Sequence, residues 1–188
     1  MVRLWRYGLW LVAGSMIWTG ALEPASSAQR GRCRGQDATL VGTSEPDRLV
    51  GTEGSDVIVG HGGDDSIVGR GGNDRLCGKG GGDAILGGAG DDEMLGGRGG
   101  DVMRGSVGHD IADGDRGRDR LFGGEGGDAL FGGPAADRLK AGRGADALFG
   151  REGPDLLLGG YGEDALDGGT GDDECSDPDD DPERGCEP

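Results

Sequence analysis

The chain has 188 residues, 46 of them Gly, with 4% aromatic residues and a formal net charge of −17. That composition lies close to a disordered one and leaves too few large apolar side chains for an ordinary globular core. So negative a chain is also expected to avoid nucleic acid, which is read through basic patches.

In chain order, residues 1–28 differ from all that follows. Arg3 and Arg6 give a positive start, Leu9 to Ala21 is mostly apolar, and Pro24-Ala25-Ser26-Ser27-Ala28 ends in small residues suited to cleavage after Ala28. This is the pattern of a secretory signal peptide. The alternative is an uncleaved anchor, for which the apolar run is short. No later stretch has the length and apolarity of a membrane span. Losing Arg3, Arg6 and Glu23 with the leader moves the net charge from −17 to −18. Residues 29–41, which include Cys33, read as an N-terminal cap segment.

From Gly42 to Ser176 an aspartate recurs at every ninth residue without insertion or deletion: Asp47, Asp56, Asp65, Asp74, Asp83, Asp92, Asp101, Asp110, Asp119, Asp128, Asp137, Asp146, Asp155, Asp164 and Asp173. With Gly42 as first residue, the unit is G-(G)-x-G-x-D-x-(apolar)-x, as in Gly87 to Leu95 (GGAGDDEML) and Gly123 to Phe131 (GGEGGDALF). The first position departs from Gly at Ala141, and the fourth at Glu45 and Ala135. Gly at these two positions is expected to permit positive φ and close backbone approach. The last three residues, such as Val57-Ile58-Val59, read as a short strand with the eighth side chain inward and the seventh and ninth outward. A three-residue strand buries nothing alone, but stacked copies bury a continuous apolar file. Two units complete one coil, so the sequence predicts an all-β, right-handed parallel β-roll or β-solenoid of about fifteen nonapeptide units. At ~4.8 Å per coil the rod is roughly 35 Å long.

Stacking sets Asp47 above Asp65 and Asp56 above Asp74, and so on along both edges. Two bare charges at ~5 Å repel by about 0.8 kcal/mol in water, and by more where the dielectric falls. A divalent cation between stacked turns reverses that sign. Carboxylate and backbone carbonyl oxygens in a loose shell favour Ca²⁺ over Mg²⁺, while Zn²⁺ or copper would ask for His or Cys. All fifteen aspartates are therefore candidate metal ligands for multiple Ca²⁺ ions.

The unit resembles the nonapeptide of RTX calcium-binding repeats (hemolysin-type repeats), which build a parallel β-roll. The likeness covers about residues 42–176. It implies Ca²⁺ held between successive turns by the sixth-position Asp and loop carbonyls, and a calcium-free chain that is largely disordered. The predicted N-terminal leader departs from the uncleaved C-terminal export signal common among RTX proteins, so toxin-like biology is not carried over. Two regions break the pattern: Gly105 to Asp113 places only Ala112 inward, and Gly132 to Lys140 carries Pro134 and Ala135 in its turn. These are expected to hold calcium less tightly or to fray first.

Four cysteines outside the leader, Cys33, Cys77, Cys175 and Cys186, suggest disulfides in an exported protein and allow three pairings. Cys33–Cys77 would clamp the cap segment to the early coils, and Cys175–Cys186 would tie back the acidic tail of residues 177–188. The chain contains no G-x-S-x-G elbow, H-E-x-x-H helix or P-loop, and His61 and His109 stand alone in turns. The reading is thus a secreted, extracellular, bacterial-type calcium-binding β-roll that is not an enzyme. The alternative is an adhesive or matrix protein whose outer ninth column, including Phe131 and Phe149, binds a cell-surface polymer or another copy. Phe131 and Phe149 are eighteen residues apart, so they are expected to stack on one sheet.

Overall fold

The computed structural model describes residues 31–177 and 186. The leader reading lies outside them, as does most of the acidic tail. Among the described residues every regular element is a strand. A hairpin of β1 (Arg32–Cys33) and β2 (Gln36–Asp37) comes first. Then follow β3 (Leu40–Val41), β4 (Arg48–Val50), β5 (Val57–Val59), β6 (Ser66–Gly71), β7 (Arg75–Gly80), β8 (Ala84–Ala89), β9 (Glu93–Arg98) and β10 (Val102–Val107). The last eight are β11 (Ile111–Arg116), β12 (Arg120–Glu125), β13 (Ala129–Pro134), β14 (Arg138–Arg143), β15 (Ala147–Glu152), β16 (Leu156–Tyr161), β17 (Ala165–Thr170) and β18 (Glu174–Ser176).

Even strands β4 to β18 form one eight-stranded sheet and odd strands β3 to β17 another. Each strand pairs in parallel with the strand one coil away, in a register of eighteen residues: Met103 lies against Ile85 on one side and Leu121 on the other. This is the parallel β-solenoid read from the repeat, with about eight turns and two units per turn. The eighth-position side chains of both sheets form one core file, from Leu49 and Ile58 through Met94 and Met103 to Leu148 and Leu157. Leu166 and Cys175 close its far end, only partly buried. Ala112 leaves the file thin between Met94 and Leu130 in its own sheet. Flexible methionines at 94 and 103 suit such an uneven gap.

Most strands are longer than the three residues expected. From β6 to β17 they run six residues, continuing past the ninth position into the glycines of the next unit. The coil-to-coil ladder resumes after the first position, as Ser106↔Gly88 and Ser106↔Gly124 show, so backbone pairing extends a strand that side-chain pattern alone would end. The strands β4 and β5 stay at three residues. Just past β4, Thr52 takes a hydrogen bond from Gly54 N–H (3.2 Å), and just past β3, Thr43 takes the equivalent bond from Glu45 N–H (3.2 Å).

The glycine logic also differs from the expectation. Positive φ falls at the second and fourth positions, not at the first and fourth. At the second position it is borne even by Arg70 (φ 89°), Ser106 (φ 97°) and Arg151 (φ 83°). The first position is Gly for lack of space: a Cβ on Gly51 would stand 2.7 Å from both Asp56 Oδ2 and Gly69 O of the next coil. The two irregular units keep the register, although Ala135 must adopt φ 124° where its neighbours have Gly, a conformation that costs an L-residue on the order of 1–3 kcal/mol.

Both expected disulfides are formed, Cys33–Cys77 and Cys175–Cys186. The first seats the β1–β2 hairpin on the outer face of the odd sheet, where Cys33, Val59 and Cys77 make a small second core. Phe131 and Phe149 stack as expected, with ring centroids 5.0 Å apart.

Candidate metal-binding ladders

Each strand from β4 onward begins on the residue after the sixth-position Asp, so the fold places these carboxylates at the strand mouths along two edges of the rod. They are not exposed rows of charge. Asp65, Asp74, Asp83, Asp92, Asp101, Asp110, Asp119, Asp128, Asp137, Asp146 and Asp155 are all buried, Asp101 completely.

One oxygen of each carboxylate has a defined job. The backbone N–H of Asp47 donates to Asp65 Oδ1 at 2.8 Å, and the same bond repeats up the stack, for example Asp83 N–H to Asp101 Oδ1 (2.7 Å) and Asp101 N–H to Asp119 Oδ1 (2.8 Å). Each Asp carbonyl in turn accepts from the strand one coil on, as with Ala84 N–H to Asp65 O at 2.8 Å. The aspartate column therefore stitches coils together through main chain and side chain alike. Sequence reasoning expected stacked carboxylates facing each other and missed this backbone acceptor role, because a residue column does not reveal which amide points at it.

The other oxygen is left over. Oδ2 of every Asp from Asp65 to Asp155 at nine-residue intervals is buried without a hydrogen-bond partner among the described residues. A buried carboxylate oxygen without a partner is costly. Burial accordingly pushes these carboxyls above their ordinary value of 3.8: to about 6 for Asp92 and Asp119, and to about 7 for Asp101, Asp110 and Asp137. Desolvation is the leading cause, and the charge of neighbouring carboxylates adds to it. The Oδ1 hydrogen bond opposes the rise but does not cancel it.

The first coil is different. Thr43 N–H (2.6 Å) and its hydroxyl (2.8 Å) both donate to Asp47 Oδ2, and Thr52 N–H (2.6 Å) and its hydroxyl (2.9 Å) do the same for Asp56 Oδ2. The Thr52 amide, the largest influence, holds the Asp56 carboxyl below its usual range. A signal for this was present in the sequence: Thr occupies the second position in these two units alone.

The donor set fits a hard cation. No group of three or more His, Cys, Asp or Glu side chains among the described residues converges closely enough to hold a metal by itself. The remaining donors are main-chain oxygens, and they stand close by. A Cβ on Gly114 would meet both Asp119 Oδ2 and, at 2.6 Å, Gly132 O of the next coil. An unmatched anionic oxygen beside a carbonyl oxygen is the chemistry Ca²⁺ prefers.

A second ladder runs outside one acidic edge. Asn73 N–H donates to Ser55 Oγ (3.2 Å), Asp91 N–H to Asn73 Oδ1 (3.1 Å), His109 N–H to Asp91 Oδ1 (2.9 Å), and Gly127 N–H to His109 Nδ1 (2.9 Å). The fifth-position side chains thus tie successive turns, and His109 has a structural task.

A parallel β-solenoid built from nonapeptide units, its turns burying a ladder of half-satisfied carboxylates, defines the class of β-roll repeat proteins. The chain belongs to the RTX calcium-binding nonapeptide repeat family, whose four-copy profile matches residues 41–76, 78–112, 104–139 and 140–175. No curated protein matches the chain. Membership carries calcium binding with it as the family's property. No helix among the described residues is long and apolar enough to cross a membrane.

Proposed function

We propose that this is a secreted calcium-ion-binding protein that folds on binding several Ca²⁺ ions between its stacked Gly/Asp-rich turns, and that it has no catalytic domain. The observation carrying this reading is the row of buried, partnerless Oδ2 atoms from Asp65 to Asp155. The carboxylates of Asp65 through Asp173 at nine-residue intervals would hold the ions together with turn carbonyls. Asp47 and Asp56, already met by Thr43 and Thr52, would contribute least. A bound divalent ion supplies the positive charge that the buried oxygens lack, and its binding free energy becomes folding free energy.

Secretion is supported by the leader-like pattern of residues 1–28 and by two disulfides, which persist in oxidising compartments. A chain of this kind would stay open where free calcium is low and condense outside the cell.

The test is circular dichroism of residues 29–188 during a calcium titration. The expected result is a cooperative gain of β signal, at roughly sub-millimolar to millimolar calcium as for extracellular modules, that magnesium does not reproduce. A chain equally compact and protease-resistant in chelator would end the proposal.

A further inference from the structure

The two outer faces of the rod differ in charge. On the odd strands basic and acidic side chains are equal in number, five of each. Several are paired: Arg75 with Glu93 (2.7 Å), Arg151 with Asp113 (3.2 Å), and Arg34 of the hairpin with Glu93 (3.0 Å). The even strands carry seven basic side chains against only Glu125 and Glu174. Arg104, Arg120, Arg138, Lys140 and Arg143 cluster on β10, β12 and β14, all exposed. Apart from a loose Arg143–Glu125 contact of 3.9 Å, the cluster has no ion pair among the described residues.

Arg120 and Arg138 are direct register partners, a like-charge pairing that disfavours the sheet. Of the cluster, Arg104, Lys140 and Arg143 line, together with Glu125, a groove along the rod axis made of two adjoining hollows of about 510 and 460 Å³, while Arg120 and Arg138 line a separate hollow beside Asp119, Asp137 and Asp155. Gly124, Gly142 and Gly160 floor it. Phe122 and Lys140 stand on one wall, and Arg143 and Tyr161 on the other. Tyr161 is 64% exposed, the most exposed large hydrophobic among the described residues. Arg104 lies over the Phe122 ring at 5.3 Å.

We propose that this even-strand groove docks a linear carboxylated polysaccharide laid along the rod, its carboxylates against Arg104, Lys140 and Arg143 and its sugar rings against Phe122 and Tyr161. Charge complementarity sets the sign of the partner. Charge density sets its class: the acidic edges that give the chain its −17 would repel duplex DNA, with one charge per ~1.7 Å of axis. Arg104 and Lys140 share one column two coils apart, roughly 10 Å at ~4.8 Å per coil, a spacing that alternate carboxylates of a polymer with one carboxylate per sugar can meet. Exposed aromatic rings suit the apolar faces of sugars rather than a purely ionic contact.

The proposal requires only the folded rod, whichever cation stabilises it. The test is calorimetric titration of the calcium-saturated full chain with polygalacturonate, with its methyl ester and single-stranded DNA as comparators at equal salt and free calcium. Polygalacturonate binding is expected to weaken at least about tenfold, equivalent to ~1.4 kcal/mol, in K140E/R143E, and less than about twofold in the odd-face control R98E/R116E. The milder K140Q/R143Q guards against misfolding of the reversed variant, and dichroism checks the coil in each. Lost β signal counts against the calcium reading, whereas an intact coil without binding overturns this one. Equal loss in the odd-face control, equal binding of the methyl ester, tighter binding of DNA, or self-association that polygalacturonate does not displace would each overturn it too.

Discussion

In the first coil, Asp47 and Asp56 turn their second carboxylate oxygen back into their own turns, where Thr43 and Thr52 meet it with an amide and a hydroxyl. Midway along the rod, Asp101 and Asp110 occupy the same column with that oxygen buried and unmet. The difference begins with neighbours. From Asp65 onward, each carboxylate is drawn toward the amide of the Asp one coil before it, as at Asp65 and Asp74. Before Asp56 the ladder is not continued: the Ala38 amide donates instead to Gly31 O, and Asp56 Oδ1 takes the Thr39 hydroxyl. A hydroxyl alone does not reproduce the first arrangement, for Ser106 sits at the second position with φ 97° while Asp110 Oδ2 stays unpaired. One residue column thus does two things: its second oxygen is satisfied within the turn at one end of the stack and is left buried without a partner among the described residues in the middle.

Calcium removal is expected to separate these regions most. In chelator, amide hydrogen exchange should become fast from β8 to β18, while protection survives longest around the Cys33–Cys77 clamp and the first coil. Uniform protection along the chain, or uniform loss, would remove the distinction.

Acid should act in the opposite direction on the calcium-free chain. The unfolded carboxyls titrate near 3.8, whereas folded Asp101, Asp110 and Asp137 titrate near about 7, and Asp92 and Asp119 near about 6. Between those values the folded state binds more protons, so this contribution to stability is fully present below about pH 4 and is lost as pH rises through about 6–7. In chelator, β signal should therefore be greater at pH 5 than at pH 8. With calcium saturating the trend should invert, because protons then compete with the ion. Urea melts at both pH values check the sign.

Leu130 is fully buried in the middle of the core file, while Leu49 near its start retains 7% exposure. Leu130→Ala should cost about 2–5 kcal/mol in the calcium-saturated protein, and Leu49→Ala the lower end of that range, both read from urea denaturation. Asp101→Asn should raise the calcium needed for half-folding about tenfold, the ~1.4 kcal/mol of one weakened charge contact. Asp56→Asn should move it less than twofold. Smallest is Thr52→Val, which should cost about 1 kcal/mol for the lost hydroxyl contacts and leave the calcium midpoint unchanged; a shifted midpoint would place Asp56 among the ligands.

The ninefold Asp column, the apolar eighth position and the recurring glycines were enough to read the coil, its two sheets and the inward file from Leu49 to Leu157. Those are consequences of period, and period is a property of sequence. The Phe131–Phe149 stack followed from the same arithmetic, since residues eighteen apart become neighbours, whereas the cysteine pairs, 44 and 11 residues apart, were read from their places in the cap segment and the tail. Strand length did not follow: glycines that look like turn in one unit become strand once a coil lies on each side to share hydrogen bonds. Nor did the fate of each Asp oxygen, because burial and the direction of a backbone amide one coil away exist only after stacking. Overall charge concealed the basic face for a related reason. Arg120, Arg138 and Lys140 are scattered among acidic residues along the chain, and only alternation of units between two sheets sorts them onto one side.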